Sequence, residues 1–359
     1  MNVEAVKLTS YFGERDRMPR GLLADELLGV FGALAIEASV LLRGSEGFGR
    51  PHQLRSDRLL SLSQDLPLMA VAIDTPDRID AALERILEIK HRGLVTLERA
   101  RLLSGEIESG ELRAALDEAT KLSVYVGRQE RIGRLPAHVA ICELLRLRGV
   151  VGASVLAGVD GTRRGERVRA RFFGANTAVP AVIVAVAPGE VIAGVLAELG
   201  SLLTQPLLTL ERVRVCKRDG ELLARPHELP GTDEAGRPLW QKLTVHCSQA
   251  ATHSGRPLNL EIIRRLRASD AAGATSVRGI WGFHGDHAPH GDRLLQLRRH
   301  VPVVTEAIDT PERTASSFAI IDELTAEGGL VTSEMVPALA ALPDEGEGGR
   351  AIPLAEHDF

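Results

Sequence analysis

Two glycine-rich stretches combine an arginine with closely spaced glycines, a composition typical of anion-binding loops. They are RGSEGFG at 43–49 and RGIWGFH at 278–284. Glycine adopts positive φ angles without steric cost, so successive backbone N–H groups can converge on an anion, and arginine adds a bidentate donor. We predict that a small anionic ligand binds at Arg43, Gly44, Gly47, Phe48, Gly49, Arg278, Gly279, Gly282 and Phe283. The alternative is that the glycines turn the chain and the phenylalanines fill a core.

A second stretch carries residue types that bind metal ions. The sequence FHGDHAPHGD at 283–292 brings together His284, Asp286, His287 and His290. Imidazole and carboxylate groups are ligands of zinc and other transition metals, so these four residues form a predicted divalent metal site. The stretch contains glycine and proline, and no predicted helix or strand presets a tetrahedral geometry. The alternative is that His287 belongs to the ligand loop, as does His52 at the equivalent position of the first stretch.

Both stretches belong to a unit that occurs three times. Lys7-Leu8-Thr9 recurs as Lys242-Leu243-Thr244, and AIDTP at 72–76 recurs at 307–311 with the same spacing. A more diverged middle copy begins at Lys121-Leu122. Repetition of this kind indicates tandem structural units. We predict segment 1 at 1–103, segment 2 at 121–217 and segment 3 at 241–341, with connectors at 104–120 and 218–240 and a flexible tail at 342–359.

Each segment shows the order strand, helix, strand, strand, helix, strand. The first helices are expected at 22–36, 136–150 and 257–271, and TP at 75–76 and at 310–311 predicts an N-cap threonine before a first-turn proline. The third strand of segment 2, within 178–188, is apolar at nearly every residue, so both of its faces should be covered. The order βαββαβ is that of a ferredoxin-like α+β unit with an antiparallel sheet.

Several motifs resemble those of domain-of-unknown-function family 190, an uncharacterised bacterial and archaeal branch of the PII-like superfamily. They are YFGERDR at 11–17, RGSEGFG at 43–49, His52, RLLSLSQDLP at 58–67 and RGLVTLE at 92–98. The resemblance implies a trimeric PII-like architecture with small-molecule clefts between neighbouring units, and it implies no established reaction. Because this chain carries three copies, we predict three tandem ferredoxin-like units that form an intramolecular pseudo-trimer, monomeric in solution.

The segments differ at the end of their first strand. Segment 1 has Glu14, Asp16 and Arg17 there, and segment 2 has Arg131 at the last of these positions. Segment 3 has only uncharged residues there, from Ser248 to Thr252. We add Glu14, Asp16, Arg17 and Arg131 to the predicted ligand site. If each cleft combines the loop of one unit with the strand end of another, one or two of the three clefts bind ligand and at least one is structural.

The middle copy replaces the glycine-rich loop with AGVDGTRRGERVRAR at 157–171, which is rich in arginine. A basic lip that faces an acidic partner is one interpretation. The other is a solvated charged loop, which is the more common role of a charge run.

Bulk properties exclude several classes of function. A net charge of −5, a pI near 6.2 and 3% aromatic residues argue against nucleic acid as a partner. The apolar run at 178–188 is too short to cross a bilayer, and the N-terminus lacks the apolar core of a signal peptide, so we expect a cytoplasmic protein that is not membrane-embedded. No GxSxG, HExxH or P-loop lysine motif is present, so no catalytic residues are predicted.

These observations predict a non-enzymatic, PII-like sensor or regulatory protein. Its ligand would be a small anion, with an adenine nucleotide suggested by analogy to the superfamily, and its loops would face a protein partner such as a membrane transporter. No cofactor is expected with certainty. One alternative is a divalent-metal-binding or metal-tolerance module built on the 284–292 stretch, and another is a ligand-free structural scaffold.

Overall fold

The computed structural model describes residues 2–19, 21–49, 54–56, 65–89, 93–105, 107, 119–168, 179–284, 290–291, 301–342 and 353–357. The described residues of segment 1 form two helices and seven strands, four of them long. In chain order these are β1 (Asn2–Gly13), β2 (Arg17–Met18), β3 (Gly21–Leu22), α1 (Leu23–Ala33), β4 (Ala38–Phe48), β5 (Arg55–Ser56), β6 (Pro67–Asp74), α2 (Pro76–Ile89) and β7 (Gly93–Ser104).

Segments 2 and 3 repeat this order and add short strands. Segment 2 has β8 (Ala119–Gly127), β9 (Arg131–Ile132), β10 (Leu135–Pro136), α3 (Ala137–Leu147), β11 (Gly152–Arg163), β12 (Glu166–Arg167), β13 (Pro180–Pro188), α4 (Gly189–Leu202), β14 (Leu207–Arg212) and β15 (Arg214–Arg218), and the connector that follows has β16 (Glu221–Leu222). Segment 3 has β17 (Trp240–Ser248), β18 (Thr252–His253), β19 (Arg256–Pro257), α5 (Leu258–Ala268), β20 (Gly273–Arg278), β21 (Trp281–His284), β22 (His290–Gly291), β23 (Pro302–Asp309), α6 (Pro311–Leu324), β24 (Leu330–Val336) and β25 (Ala338–Leu342).

The predicted fold class, three ferredoxin-like units that form an intramolecular pseudo-trimer, is wrong. The structure is mostly antiparallel sheet, with 49% strand and 26% helix, and the long strands of all three segments join in one 19-stranded network. The physical reason is that strands run past their own segment and hydrogen bond to the next. β4 pairs with β11 and β20, and β7 pairs with β14 and β25, so the strands of each segment continue into the sheets of the other segments.

The helices cover apolar faces of this network, and four of the described helices, α2, α3, α5 and α6, begin at or next to the expected prolines. α2 and α6 start at Pro76 and Pro311, but no threonine hydroxyl caps α6; instead the carboxylate of Asp309 accepts the N–H of Thr310 at 2.8 Å. The third strand of segment 2, β13, is almost entirely buried, as its sequence predicted. No described helix has the length and apolarity that crossing a membrane would require.

Candidate functional site

The second strands of the three segments form three seams, each of which joins two segments. The far end of β4 pairs with β20, β21 pairs with β11, and the far end of β11 pairs with β4. The glycine-rich stretches predicted as loops are therefore strand extensions that hydrogen bond across a seam. We number each seam by the segment whose first strand ends beside it.

The glycines of these stretches are required by close backbone approach. A Cβ atom at Gly44 would lie 3.0 Å from the carbonyl oxygen of Ser276, and one at Gly282 would lie 2.4 Å from that of Ala153. None of Gly44, Gly47, Gly279 and Gly282 has a φ angle in the left-handed region, so they do not provide the anion-binding turn that motivated the prediction. Gly49 lies just beyond β4, where an added Cβ would meet nothing within 4 Å.

The two phenylalanines fill cores. Phe48 is 5% exposed and packs in the core of segment 3, while Phe283 is 6% exposed and packs in the core of segment 2. Each stretch thus inserts its aromatic ring into a neighbouring segment. This geometry supports the structural alternative for the glycines and phenylalanines, and their role in ligand binding stays a prediction.

At seam 1, the end of β1 carries charges that are already paired. Arg43 Nη2 lies 2.8 Å from Glu14 Oε2, and Asp16 Oδ2 accepts the backbone N–H of Gly13 at 2.9 Å. The guanidinium of Arg55 reaches over Gly13 and lies 3.7 Å from Asp16 Oδ1. The structure therefore brings together the predicted residues Arg43, Glu14 and Asp16, but Arg43 is paired with Glu14, and Asp16 lies beside Arg55.

Other predicted residues are spread over the surface or fall outside the described ranges. Arg17 and Arg131 occupy β2 and β9, where both are exposed, and Arg278 ends β20 partly buried. His52, Asp286 and His287 lie outside the described residues, and only the backbone of His290 is described, in β22. In the arginine-rich stretch of segment 2, which also extends a strand, Arg163 pairs with Glu130 at 2.6 Å.

Seam 3 holds a large pocket between segments 2 and 3, which we call the seam pocket. Its volume is about 680 Å³. Segment 2 contributes the start of β11 and the middle of β13, and segment 3 contributes the end of β17, β21 and the turn before β24. Its walls are formed by Gly152, Ala153, Ser154, Val184, Val186, His246, Cys247, Ser248, Ala250, Ala251, Thr252, Leu258, Gly282, Phe283, His284, Pro302, Leu324, Glu327, Gly328, Gly329 and Leu330.

The described lining of the pocket includes four titratable residues, namely His246, Cys247, His284 and Glu327. Burial lowers the pKa of His246 to about 4, and burial raises the pKa of the Cys247 thiol to about 12, so both groups are uncharged at neutral pH. His284 Nε2 lies 2.5 Å from Asp219 Oδ1 at the rim. This contact joins one residue of the predicted metal site to the connector at 218–240. No residue of the pocket apart from Gly282, Phe283 and His284 was predicted from the sequence.

A second buried feature joins the three segments through ion pairs. One lysine and one glutamate from each segment alternate in a ring of six charges, which we call the Lys–Glu ring: Lys7, Glu98, Lys242, Glu334, Lys121 and Glu211. Each ammonium group contacts the glutamate opposite it on the paired strand and the glutamate of another segment. The contacts within a segment are Lys7–Glu98 at 3.2 Å, Lys121–Glu211 at 3.0 Å and Lys242–Glu334 at 3.1 Å.

Burial and the attraction between opposite charges shift the pKa values of the ring in opposite directions, and the attraction has the larger effect. All six side chains are at most 9% exposed. Burial alone would lower the pKa of Lys7 and raise that of Glu334, but the opposite charges hold the Lys7 pKa above and the Glu334 pKa below their ordinary values. The pKa of Lys242 is likewise raised and that of Glu98 lowered, so these four groups remain ionised in the folded protein at neutral pH.

The ring is also the one place among the described residues where three carboxylates could share a metal ion. Each carboxylate is held by two ammonium groups, which already supply the positive charge that a cation would bring. The donor set therefore does not fit a metal. A sequence signal for the ring exists: each segment carries KL followed by Thr or Ser in its first strand and Thr-x-Glu in its last strand. A lysine repeated in three apolar strands indicates a buried partner.

The comparison with protein families agrees with the repeats and with the motifs. The model of family DUF190, described as Uncharacterized ACR, matches residues 5–102, 119–215 and 240–338. The chain belongs to the DUF190 family. It carries three tandem copies of the family unit, which confirms the resemblance seen in the sequence.

Individual relatives share shorter regions with this DUF190 chain. A UPF0166 protein of Aquifex aeolicus (strain VF5) is 35% identical over 63 residues, which are 18% of this chain and 59% of that relative. The chain thus spans less than two thirds of the length of this relative. Among solved structures, the crystal structure of aspartate kinase from Synechocystis matches 94% of this chain and 45% of its own, with 10% identity and a TM-score of 0.26, too low to indicate a shared fold.

Proposed function

We propose that this protein is a non-enzymatic regulatory protein of the PII-like type that binds a small molecule in the seam pocket. The observation that carries the proposal is the pocket of about 680 Å³, whose walls come from two segments. Its size falls within the range of roughly 300 to 1,000 Å³ that is common for small-molecule sites. A ligand there would contact β11 and β13 on one side and β17 and β24 on the other, so its binding would tighten the seam.

The chemistry of the pocket favours binding over catalysis. Cys247 is the lining residue with the most nucleophilic side-chain type, but a thiol whose pKa is about 12 forms very little thiolate at neutral pH. His246 titrates near pH 4 because of burial, so it is a poor general base for chemistry at neutral pH. A regulatory protein also needs a partner, and we propose that a protein, a membrane transporter among the candidates, recognises the ligand-bound form.

A melting-temperature screen tests this function. The panel contains adenine nucleotides, other anions, amines and neutral heterocycles, because a ligand that binds only the folded form raises the melting temperature. Ala250 is exposed on the pocket wall, so Ala250→Trp should fill the pocket without entering a packed core. Ala235→Trp, in the connector and away from the pocket, is the matched control.

We expect at least one compound to raise the melting temperature of the wild-type protein and of Ala235→Trp, but not that of Ala250→Trp. A compound that stabilises all three proteins equally binds elsewhere and counts against the seam pocket. If no compound stabilises the wild type, the scaffold alternative is favoured.

A second candidate function is metal binding, and one contact favours it. The 2.5 Å contact between His284 Nε2 and Asp219 Oδ1 places a carboxylate beside the histidine-rich stretch. Calorimetric titration with zinc tests this candidate. A metal module should release heat that is lost in both His284→Ala and Asp219→Asn, whereas a titration without heat would remove the candidate.

A further inference from the structure

We infer that the seam pocket selects a ligand with a positively charged nitrogen attached to an apolar body, rather than a phosphate or carboxylate. This inference rests on the proposed function and names the ligand class of the same site. It differs from the anionic ligand that the glycine-rich stretches suggested.

The charged residues at the pocket favour a cationic ligand over an anionic one. Among the described residues that form the pocket walls there is neither lysine nor arginine, and Glu327 is the acidic residue. At the rim, His284 is engaged by Asp219, whose backbone N–H also donates to the carbonyl oxygen of Gly329 at 2.8 Å. The carboxylates of Glu327 and Asp219 are therefore the acidic groups described at this site. An anionic ligand would lose its hydration there without gaining a lysine or arginine partner among the described wall residues.

The repeat shows which cationic residues the described wall of this pocket has lost. By the spacing of the repeat, Ala250 and Thr252 of segment 3 stand where segment 1 has Arg15 and Arg17. Both replacements remove a guanidinium group from the strand end beside the seam. At seam 1, by contrast, Arg55 covers Gly13 and pairs with Asp65 at 3.0 Å.

The helix dipoles do not reverse this preference. The C-terminal end of α6 meets the pocket at Leu324 and favours a cation, whereas the N-terminal end of α5 meets it at Leu258 and favours an anion. The N–H of Leu258 already donates to the carbonyl oxygen of Ala251 at 2.9 Å. Because the two helix ends oppose each other, the side-chain charges decide the sign.

The apolar residues of the pocket favour an apolar body for the rest of the ligand. The pocket lining includes the apolar residues Val184, Val186, Phe283 and Leu330. Burial of an apolar ligand body against such walls contributes about 25 cal/mol for each Å² removed from water. An aromatic or branched amine combines this apolar body with a cationic group for the acidic entrance.

Two probes of the same ring and chain length but opposite charge test the inference: tryptamine and indole-3-propionate. Calorimetry on the full-length protein should show tryptamine binding about tenfold or more tightly than indole-3-propionate, because a carboxylate would face Glu327. Glu327→Gln should weaken tryptamine binding by about two- to fivefold, the range for an exposed charge pair. Glu323→Gln, on α6 but outside the pocket lining, is the matched control and should leave the affinity unchanged.

The outcomes separate this inference from the proposed function. If indole-3-propionate binds as tightly as tryptamine or more tightly, and Ala250→Trp abolishes that binding, the charge preference is wrong while the pocket remains the ligand site. If neither probe binds at millimolar concentration, the inference is also overturned. The proposed function then depends on the melting-temperature screen alone.

Discussion

The Lys–Glu ring and the seam pocket lie in the same repeated framework, but the three segments contribute equally to the ring and unequally to the pocket. Every segment contributes one lysine and one glutamate to the ring, whereas the pocket depends on residues of segment 3 that the other segments lack. Loss of one ring charge would leave a buried partner unpaired, so each copy must keep both residues. The strand ends at the seams are freer to change, which allows one seam to differ from the others.

The largest expected effect comes from opening the ring. Lys242 is 1% exposed and contacts both Glu98 and Glu334, so Lys242→Met leaves excess negative charge in the interior. We expect the free energy of unfolding to fall by about 3 to 5 kcal/mol. Urea denaturation measures the change, with the exposed Arg146→Met as a control that should shift it by less than about 0.5 kcal/mol. An equally small effect for Lys242→Met would show that the ring does not hold the segments together.

A smaller effect is expected where strands of segments 1 and 2 approach each other most closely. A Cβ atom at Gly161 would lie 2.2 Å from the carbonyl oxygen of Ser39, so Gly161→Ala should force β11 and β4 apart at a cost of about 1 to 3 kcal/mol. Gly194→Ala, within α4 and without a neighbour within 4 Å, should instead stabilise by about 0.5 to 1 kcal/mol. If both variants have the same sign in thermal unfolding, the seam geometry is wrong.

The ring and His246 should each contribute a loss of stability on acidification, in two separate pH ranges. Because burial lowers the pKa of His246 to about 4, the unfolded chain takes up a proton first, and stability falls as the pH drops from about 6.5 to 4. The pKa values of Glu98 and Glu334 lie below their ordinary value of 4.5, so stability from the ring is present above that pH and is lost below it.

His246→Tyr distinguishes the two windows, since tyrosine stands at the equivalent positions 11 and 125 of the other segments. This variant should flatten the fall between pH 6.5 and 4, by an amount on the order of 1 kcal/mol, and leave the loss below pH 4.5. His253→Tyr, in β18, serves as the control. Equal profiles for wild type and His246→Tyr in denaturation series would refute the role of His246.

The smallest effect is expected at seam 1. The Arg43–Glu14 pair is largely exposed, at 49% and 33%, so Arg43→Ala should change the free energy of unfolding by less than about 1 kcal/mol. Arg43 does not line the seam pocket, so the affinity of a pocket ligand should also stay the same. A marked loss of ligand affinity in calorimetry would indicate that the ligand binds at Arg43, as the sequence predicted.

Local pattern and repetition predicted much of the molecule, because apolar periodicity and recurrent motifs act within a segment. They located the three copies, the helices that begin next to Pro136 and Pro257, and the buried strand β13. The fold class failed because pairing across segments, such as β4 with β20, depends on contacts distant in sequence. Gly44 and Gly282 were interpreted as loop residues for the same reason: the carbonyl groups that exclude a side chain belong to another segment.

The seam pocket was largely missed because its residues are ordinary by type. Ala250, Ala251 and Thr252 signal a site only through the charges that they replace, and the sequence interpretation took the loss of those charges at segment 3 as loss of function. The structure shows instead that their small, uncharged side chains leave space at the seam. Residue types alone do not reveal such space.

The most direct test of the account is the number of ligand molecules bound by each chain, measured by calorimetry with a compound that stabilises the protein in the melting-temperature screen. We predict one site per chain, abolished by Ala250→Trp and retained in Arg43→Ala. Three equivalent sites per chain, or a single site that survives Ala250→Trp, would contradict the assignment of ligand binding to the seam pocket.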